Sequence, residues 1–336
     1  MRVLVTGGTG FVGSHTVRAF ATAGHTVRVL ARSPAKIERV LPALDGLEVA
    51  EGDAIDEDAV ARAMDGCDAV FNSVSMVSLD SRDEEHVRHI NLRSAEVVLG
   101  TAAGLGLDPI IHVSSVSALL PPEGPGSVLT HESPVGSPPG AYMQSKAAAD
   151  RFARALDAPV TLTYPTMVVG PEDPTLGEGM AMIANVLRGL VPALPPGGME
   201  VVDVRDVAAV HAAALVPGQG KRRFVVNGTH RSARALVGDL RNLTGRRLPA
   251  APIPSVVASV AARAAEAMPI ALPVTLTSEA VWVLSLDARS DDGETRHQLG
   301  VQPRPLEDTL GDTVRWMADA GVITKGQAGR LGSSSS

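Results

Sequence analysis

Tyr142 and Lys146 lie four residues apart in Tyr142-Met-Gln-Ser-Lys146, so on a helix they share one face and come within reach of each other. A free phenol titrates at about 10, too high for ready proton exchange at neutral pH. A lysine ammonium beside it favours the phenolate and is expected to lower that value, making Tyr142 a general acid or base. Lys146 is also placed to hold a nicotinamide ribose. Ser115 follows an apolar run, Ile111-His-Val-Ser114, that reads as a strand. At the C-terminal rim of a parallel sheet its hydroxyl could bond a reacting oxygen; Ser114 is the second choice. The Tyr-x-x-x-Lys spacing alone is common on surface helices, and its weight comes from the motifs that precede it.

The first of these is Val3-Leu-Val-Thr6-Gly7-Gly8-Thr9-Gly10-Phe11-Val12-Gly13, which sets Gly7, Gly10 and Gly13 between a β-branched run and the mouth of a helix. Glycines there allow a tight turn, close approach of backbone to a pyrophosphate, and close packing of helix on strand. The helix N-terminus, at Phe11 and Val12, adds unpaired N–H groups and positive potential for the phosphates of a dinucleotide. Folds of this kind that favour NAD place an acid at the end of the second strand, and Val27-Arg-Val-Leu-Ala-Arg32-Ser33 offers none. Arg32, with Lys36, is suited to a 2′-phosphate, so NADP is the preferred cofactor and NAD the alternative. The plain reading of Arg32 is a solvated turn residue. Asp53 and Ala54 close a third strand, where Asp53 suits either an adenine amino group or a helix N-cap.

The elements that must position these residues alternate. Short β-branched runs at 2–6, 26–31, 47–50, 69–73 and 110–114 are separated by helical patterns at 11–23, after Pro34, 56–65 and 86–106. Such alternation predicts βαβ units and an α/β fold, a Rossmann doubly wound parallel sheet. Residues 119–140 read as an irregular loop, a helix begins near Tyr142, and 160–163 and 201–202 read as further strands. The expected division is a dinucleotide-binding core over 1–170, a mixed region over 171–330 that completes the sheet and forms a smaller C-terminal substrate lobe, and a disordered tail over 331–336.

Composition narrows the partners. A formal charge of −7 with no basic run speaks against nucleic acid or an anionic membrane and for a small molecule. Cys67 is the only cysteine, so an internal disulfide is excluded and a cytoplasmic setting is expected. Strand residues begin at Arg2, leaving no room for a signal peptide, and the apolar stretch 255–286 is broken by Arg263, Glu266, Pro269 and Pro273, so no transmembrane segment is predicted. That stretch suits core packing, a greasy pocket wall or a membrane surface. His86 and His89 share a helix face without a third ligand, so no metal is expected. His112 reads as a packed strand histidine and Cys67 as structural.

With these residues in order, the chain from Arg2 to about Asp319 resembles the extended short-chain dehydrogenase/reductases of the NAD-dependent epimerase/dehydratase type, nearer their dihydroflavonol-reductase and hydroxysteroid-dehydrogenase side. The resemblance implies cofactor contacts at Gly7, Gly10 and Gly13, at Asn72 and Val74, and along Pro165 to Val168. It also implies a catalytic set of Ser115, Tyr142 and Lys146, a propping role for Asn91, and a homodimer through the helices at 92–104 and 142–156. Two departures stand out: Asn72-Ser-Val-Ser75 where His-x-Ala is usual, and Tyr164 where arginine commonly precedes the proline. The expected activity is hydride transfer between NADP(H) and a ketone or aldehyde on a mostly apolar substrate, or the reverse oxidation of a secondary alcohol. The alternatives are a nucleotide-sugar epimerase with tightly bound NAD and a non-catalytic dinucleotide sensor. Sugar 4,6-dehydration is disfavoured, because Ser115-Val116-Ser117 stands where Thr-Asp-Glu would.

Overall fold

The computed structural model describes residues 1–42, 44, 46–76, 83–122, 126–266 and 277–332. The expected tail, parts of the loops at 75–85 and 119–140, and the apolar residues 267–276 fall wholly or partly outside the described residues. The first half folds as its alternation dictates: β1 (Arg2–Thr6), α1 (Phe11–Thr22), β2 (Thr26–Ala31), α2 (Pro34–Val40), β3 (Glu48–Glu51), α3 (Glu57–Met64), β4 (Ala69–Asn72), α4 (Glu84–Gly104) and β5 (Ile110–Val113). A two-residue strand β6 (Val128–Leu129) interrupts the predicted loop, and α5 (Ala141–Ala155) leads into β7 (Val160–Pro165).

Beyond it come β8 (Met167–Val169), α6 (Glu178–Leu187), β9 (Ala193–Leu194), β10 (Gly198–Asp203), α7 (Val204–Ala214), β11 (Arg222–Val226) and β12 (Thr229–Ser232). Then follow α8 (Ala233–Thr244), β13 (Ala251–Pro252), α9 (Ser255–Glu266) and α10 (Ser278–Leu286).

Seven parallel strands form the main sheet in the order β11-β7-β5-β4-β1-β2-β3. The chain leaves β1 toward β2 and β3 on one side and resumes with β4, β5 and β7 on the other. The order therefore reverses between β1 and β4, the crevice where open α/β sheets receive ligands. Covered on both faces, β4, β5 and β7 are buried at every position and β1 at all but its first, as in parallel sheets generally. The pattern that reads as a strand at 201–202 does not join this sheet. It belongs to β10, in a separate three-stranded sheet ordered β12-β10-β8. The seventh strand is instead β11, in Arg222-Arg-Phe-Val-Val226, where two leading arginines mask an apolar run.

His211 ties three elements together. Its Nδ1 lies 2.9 Å from the Thr16 hydroxyl of α1 and its Nε2 3.0 Å from the Thr163 hydroxyl of β7. Thr16 donates its only hydroxyl hydrogen to the Val12 carbonyl, so Nδ1 carries the imidazole proton and Nε2 accepts. Burial holds His211 down to about 3, and His112 likewise, so both are neutral when folded. Because the folded value lies below the unfolded one of about 6.5, their stabilisation is complete above that pH and is lost as pH falls toward 3. The expected loss by pH 5 is on the order of 2 kcal/mol per histidine. Urea unfolding midpoints should fall between pH 7 and pH 5, and His211→Gln should show a visibly flatter dependence.

Candidate functional site

The residues singled out above fall at one rim. Gly7 follows β1, Arg32 follows β2, Asp53 follows β3, Ser73 to Ser75 follow β4, Ser115 follows β5 and Pro165 ends β7. All are C-terminal ends of parallel strands in one sheet.

In the glycine loop, Gly7 takes a φ of +76° and its carbonyl accepts from Gly10 N at 2.9 Å. A Cβ at Gly13 would collide with that carbonyl, and one at Gly7 would lie 2.7 Å from the Ser73 backbone, so both positions need glycine. Helix α1 opens with Gly10, which makes no side-chain cap, and carries no acid in its first turn. Its N–H groups and dipole therefore face the crevice uncompensated, and this cradle fits a pyrophosphate. Phe11 and Val12 open that helix as expected, the Phe11 ring set edge-on to His15 at 5.7 Å. Arg32 is exposed and lies 3.9 Å from Asp53, while Lys36 is half-buried in α2. Asp53 does not cap the following helix. Asp56 does, accepting from Asp58 N and Ala59 N, so the helix-cap alternative for Asp53 is removed. Ala54 is buried beneath this end of the sheet and Val74 packs on the same core.

Asn72 is turned inward. Its Oδ1 accepts from Thr6 Oγ1 and Val74 N, and its Nδ2 meets His112 Nδ1 at 3.2 Å, so the side chain is engaged within the protein. His112 is packed as predicted, His86 and His89 are exposed, and Cys67 is buried with its thiol pushed up by burial. No metal-binding group occurs among the described residues. Val168 pairs with Val202 in the second sheet.

Helix α5 presents Tyr142 and Lys146 on one face, with the Lys146 ammonium 6.0 Å from the phenol ring. Lys146 is 4% exposed and donates to the Val113 carbonyl at 3.1 Å. Burial lowers Lys146 to about 8, opposed by Asp150. The lowered phenol expected from this pair is not found: burial, then Glu178, push Tyr142 up to about 12, with Glu279 adding to the rise and a hydrogen bond from Ser75 opposing it. Desolvation and two carboxylates outweigh an ammonium already committed to a carbonyl. The phenol therefore stays protonated through neutral pH.

Of the two serines, Ser114 is buried and donates to Asp150 Oδ2 at 2.7 Å. Ser115 is half-buried and only accepts, from Ser117 N, leaving its own hydrogen available. Asp150 and Arg154 continue the four-residue spacing of Tyr142 and Lys146, a signal present in the sequence but not read there. Arg154 Nε sits 2.6 Å from Asp150 Oδ1, and its Nη2 donates to the Tyr164 hydroxyl at 2.9 Å. The guanidinium that strand β7 lacks at Tyr164 thus arrives from α5. Glu178 and Glu279 are likewise unread, since they start two distant helices, α6 and α10. The Glu279 carboxylate packs on Gly140, whose φ of +82° and missing Cβ admit it, and burial followed by Glu178, Glu84 and Glu266 raises it to about 7.

With this geometry the comparisons agree. Residues 3–227 match the NAD dependent epimerase/dehydratase family, and the chain belongs to that family, in its extended short-chain dehydrogenase/reductase form. It is similar to sterol demethylase protein B of Methylococcus capsulatus, 28% identical over 96% of this chain and 100% of that protein. It is also similar to the 4-hydroxy-2-methyl-3-oxo-4-farnesyl-3,4-dihydroquinoline-1-oxide ketoreductase of Stigmatella aurantiaca, 25% identical over 96% of this chain and 98% of the relative. The solved structure of gox2253 has a TM-score of 0.81 at 28% identity, covering 96% of this chain and 99% of its own.

Removing the Arg154 guanidinium leaves the Asp150 charge buried without its counter-ion. Arg154→Met should cost about 3 kcal/mol in urea unfolding, and Asp150→Asn in the same chain should recover much of that loss.

Proposed function

We propose that the chain is an NADP(H)-dependent reductase of a ketone or aldehyde on a mostly apolar, uncharged substrate, or the oxidant of the corresponding secondary alcohol. The observation that carries this reading is the placing of Tyr142 and Lys146 on one face of α5, with the Ser115 hydroxyl hydrogen free at the rim of the same sheet. A protonated phenol is an acid ready to donate, which suits reduction. Glu178 and Glu279 beside it are poor partners for the phosphates of a diphosphate-bearing sugar. The names of the sterol and ketoreductase relatives point the same way.

A reduced nicotinamide, when bound, supplies hydride to the carbonyl carbon. Tyr142 gives its hydroxyl proton to the carbonyl oxygen, and Ser115, whose hydrogen is free, bonds that oxygen as charge develops. Lys146, beside the phenol, stabilises the tyrosinate left behind and holds the nicotinamide ribose. Gly7, Gly10 and Gly13 with the N-terminus of α1 cradle the pyrophosphate, Arg32 and Lys36 take the 2′-phosphate, Asp53 the adenine, and the stretch Pro165 to Val168 the nicotinamide amide. Residues from 171 onward supply the substrate side, and the working unit is a cytoplasmic homodimer paired through α4 and α5.

Fluorescence titration with NADPH and NADH, followed by nicotinamide absorbance with a panel of apolar ketones and aldehydes, tests the reading. NADPH consumption is expected, and Tyr142→Phe should reduce turnover by roughly 10²- to 10⁴-fold. Binding without consumption, or interconversion of a nucleotide sugar with no net cofactor change, overturns it. A charge-assisted bond to the 2′-phosphate is worth about 1.5–3 kcal/mol. Arg32→Ser should therefore weaken NADPH binding by roughly 10- to 100-fold while leaving NADH within about twofold.

A further inference from the structure

Phe11, His15 and Arg18 follow the spacing of one face of α1, and all three reach across to the part of the chain built from β8 and α6. The Phe11 ring packs, as Leu176 does, against the apolar cluster that includes Val169, Met180 and Ile183, and it stands edge-on to His15. His15 Nε2 lies 3.1 Å from the Pro171 carbonyl. A carbonyl only accepts, so this nitrogen carries the hydrogen. Arg18 Nη1 lies 3.2 Å from Glu172 Oε2, while its Nη2 donates at 2.9 Å to the carbonyl of Val40, the last residue of α2. Residues 171–177, which join β8 to α6, are therefore attached to α1 at Pro171 and Glu172.

The joining segment is held in a form that its residues disfavour. Glu172 and Leu176 have φ of +60° and +51°, the left-handed region in which a Cβ crowds the backbone. Between them Asp173, 4% exposed, accepts from Thr175 N and Oγ1, each at 2.9 Å, and from Gly177 N at 2.8 Å. Gly177 caps α6, so the buried carboxylate locks the inner turn to the start of that helix. The attachment to α1 is much lighter, one hydrogen bond and one ion pair whose side chains are 32% and 55% exposed. These contacts can part while the rest of the segment stays folded. An exposed ion pair contributes little, so His15 is the main fastener.

We propose that residues 171–177 are a strap across α1, fastened by His15 and Arg18, that must come free before a bound dinucleotide leaves. The assignment rests on the reading of the glycine loop and the first turn of α1 as the pyrophosphate cradle. Phe11 opens the turn whose N–H groups would hold the phosphates, and its ring is supported by β8 and α6, the two elements the strap joins. With the strap fastened, the cradle and those elements keep one arrangement. Once it is free, β8 and α6 can draw away from α1, the first turn loses the support of the Phe11 ring, and the phosphates lose their fit. His15 and Arg18 are positioning residues, since they act through the strap and through Phe11.

Stopped-flow displacement of NADPH by excess NADP⁺, read by NADPH fluorescence, gives the dissociation rate. His15→Phe keeps a ring beside Phe11 but has no donor for the Pro171 carbonyl, and it should release NADPH about fivefold faster. His15→Gln, whose amide can donate to the same carbonyl, should return the rate to within about twofold of the original. Glu172→Gln, a change at an exposed side chain, should release NADPH about twofold faster. Hydrogen exchange in the cofactor-free protein reads the strap itself: amides of residues 173–177 should exchange about fivefold faster in His15→Phe, with those of α4 unchanged. Unaltered release in His15→Phe overturns the proposal, as does faster release that His15→Gln does not reverse. Faster exchange that extends to α4 also overturns it, by assigning His15 to general stability. A wild-type protein that binds neither NADPH nor NADH fails the reading of the cradle, whereas wild-type binding with unaltered release in His15→Phe fails the strap alone.

Discussion

Asp150 has no solvent contact, and the groups that satisfy it set where α5 lies. Ser114, at the end of β5, donates to one of its oxygens, and Arg154, a turn further along α5, holds the other. A buried carboxylate that lost these partners would be an uncompensated charge, so the helix cannot rotate or slide without large cost. Lys146, a turn before Asp150, is thereby pinned under the sheet edge against the Val113 carbonyl, and Tyr142, a turn before that, is delivered to the rim. Arg154 also reaches the Tyr164 hydroxyl and so joins α5 to β7. The Tyr164 side chain is thereby held by a guanidinium of α5 rather than carrying one itself.

The electrostatics of the site follow from burial more than from pairing. Lys146 is brought to about 8 and Tyr142 to about 12 by desolvation, and each moves away from its charged form. The carboxylate of Glu279 moves the same way, to about 7, through burial first and then the nearby Glu178, Glu84 and Glu266. A site with this balance holds its proton on the tyrosine. At the glycine loop an uncapped helix N-terminus and the exposed Arg32 both favour anions.

Helix α9 keeps part of what its composition suggested. Ala258 and Ala262 pack against Val281 of α10, whereas Val256, Val257 and Val260 remain 74%, 52% and 64% exposed. Core packing therefore accounts for one side of that helix only. No described helix is long and apolar enough to cross a membrane.

Chain order, the parallel sheet and the shared rim were legible in the sequence, because periodicity and turn glycines act between near neighbours. The glycine loop and the pair at Tyr142 and Lys146 are local in the same sense: a turn needing φ above zero and a helical spacing of four are properties of short segments. Element boundaries came out within a few residues, and the strand at Arg222 was missed only because its arginines interrupt the apolar pattern. Tertiary structure alone decided which serine is free, since Ser114 and Ser115 differ only by what lies across from them. It also decided the tyrosine's protonation, set by burial and by carboxylates from two distant helices, and the inward turn of Asn72. The joining of Met76 to Ser145 through Asn91 belongs there too. Each of these depends on contacts between residues far apart in the chain, whose distances and solvent exposure exist only once the sheet has closed and the helices have packed upon it.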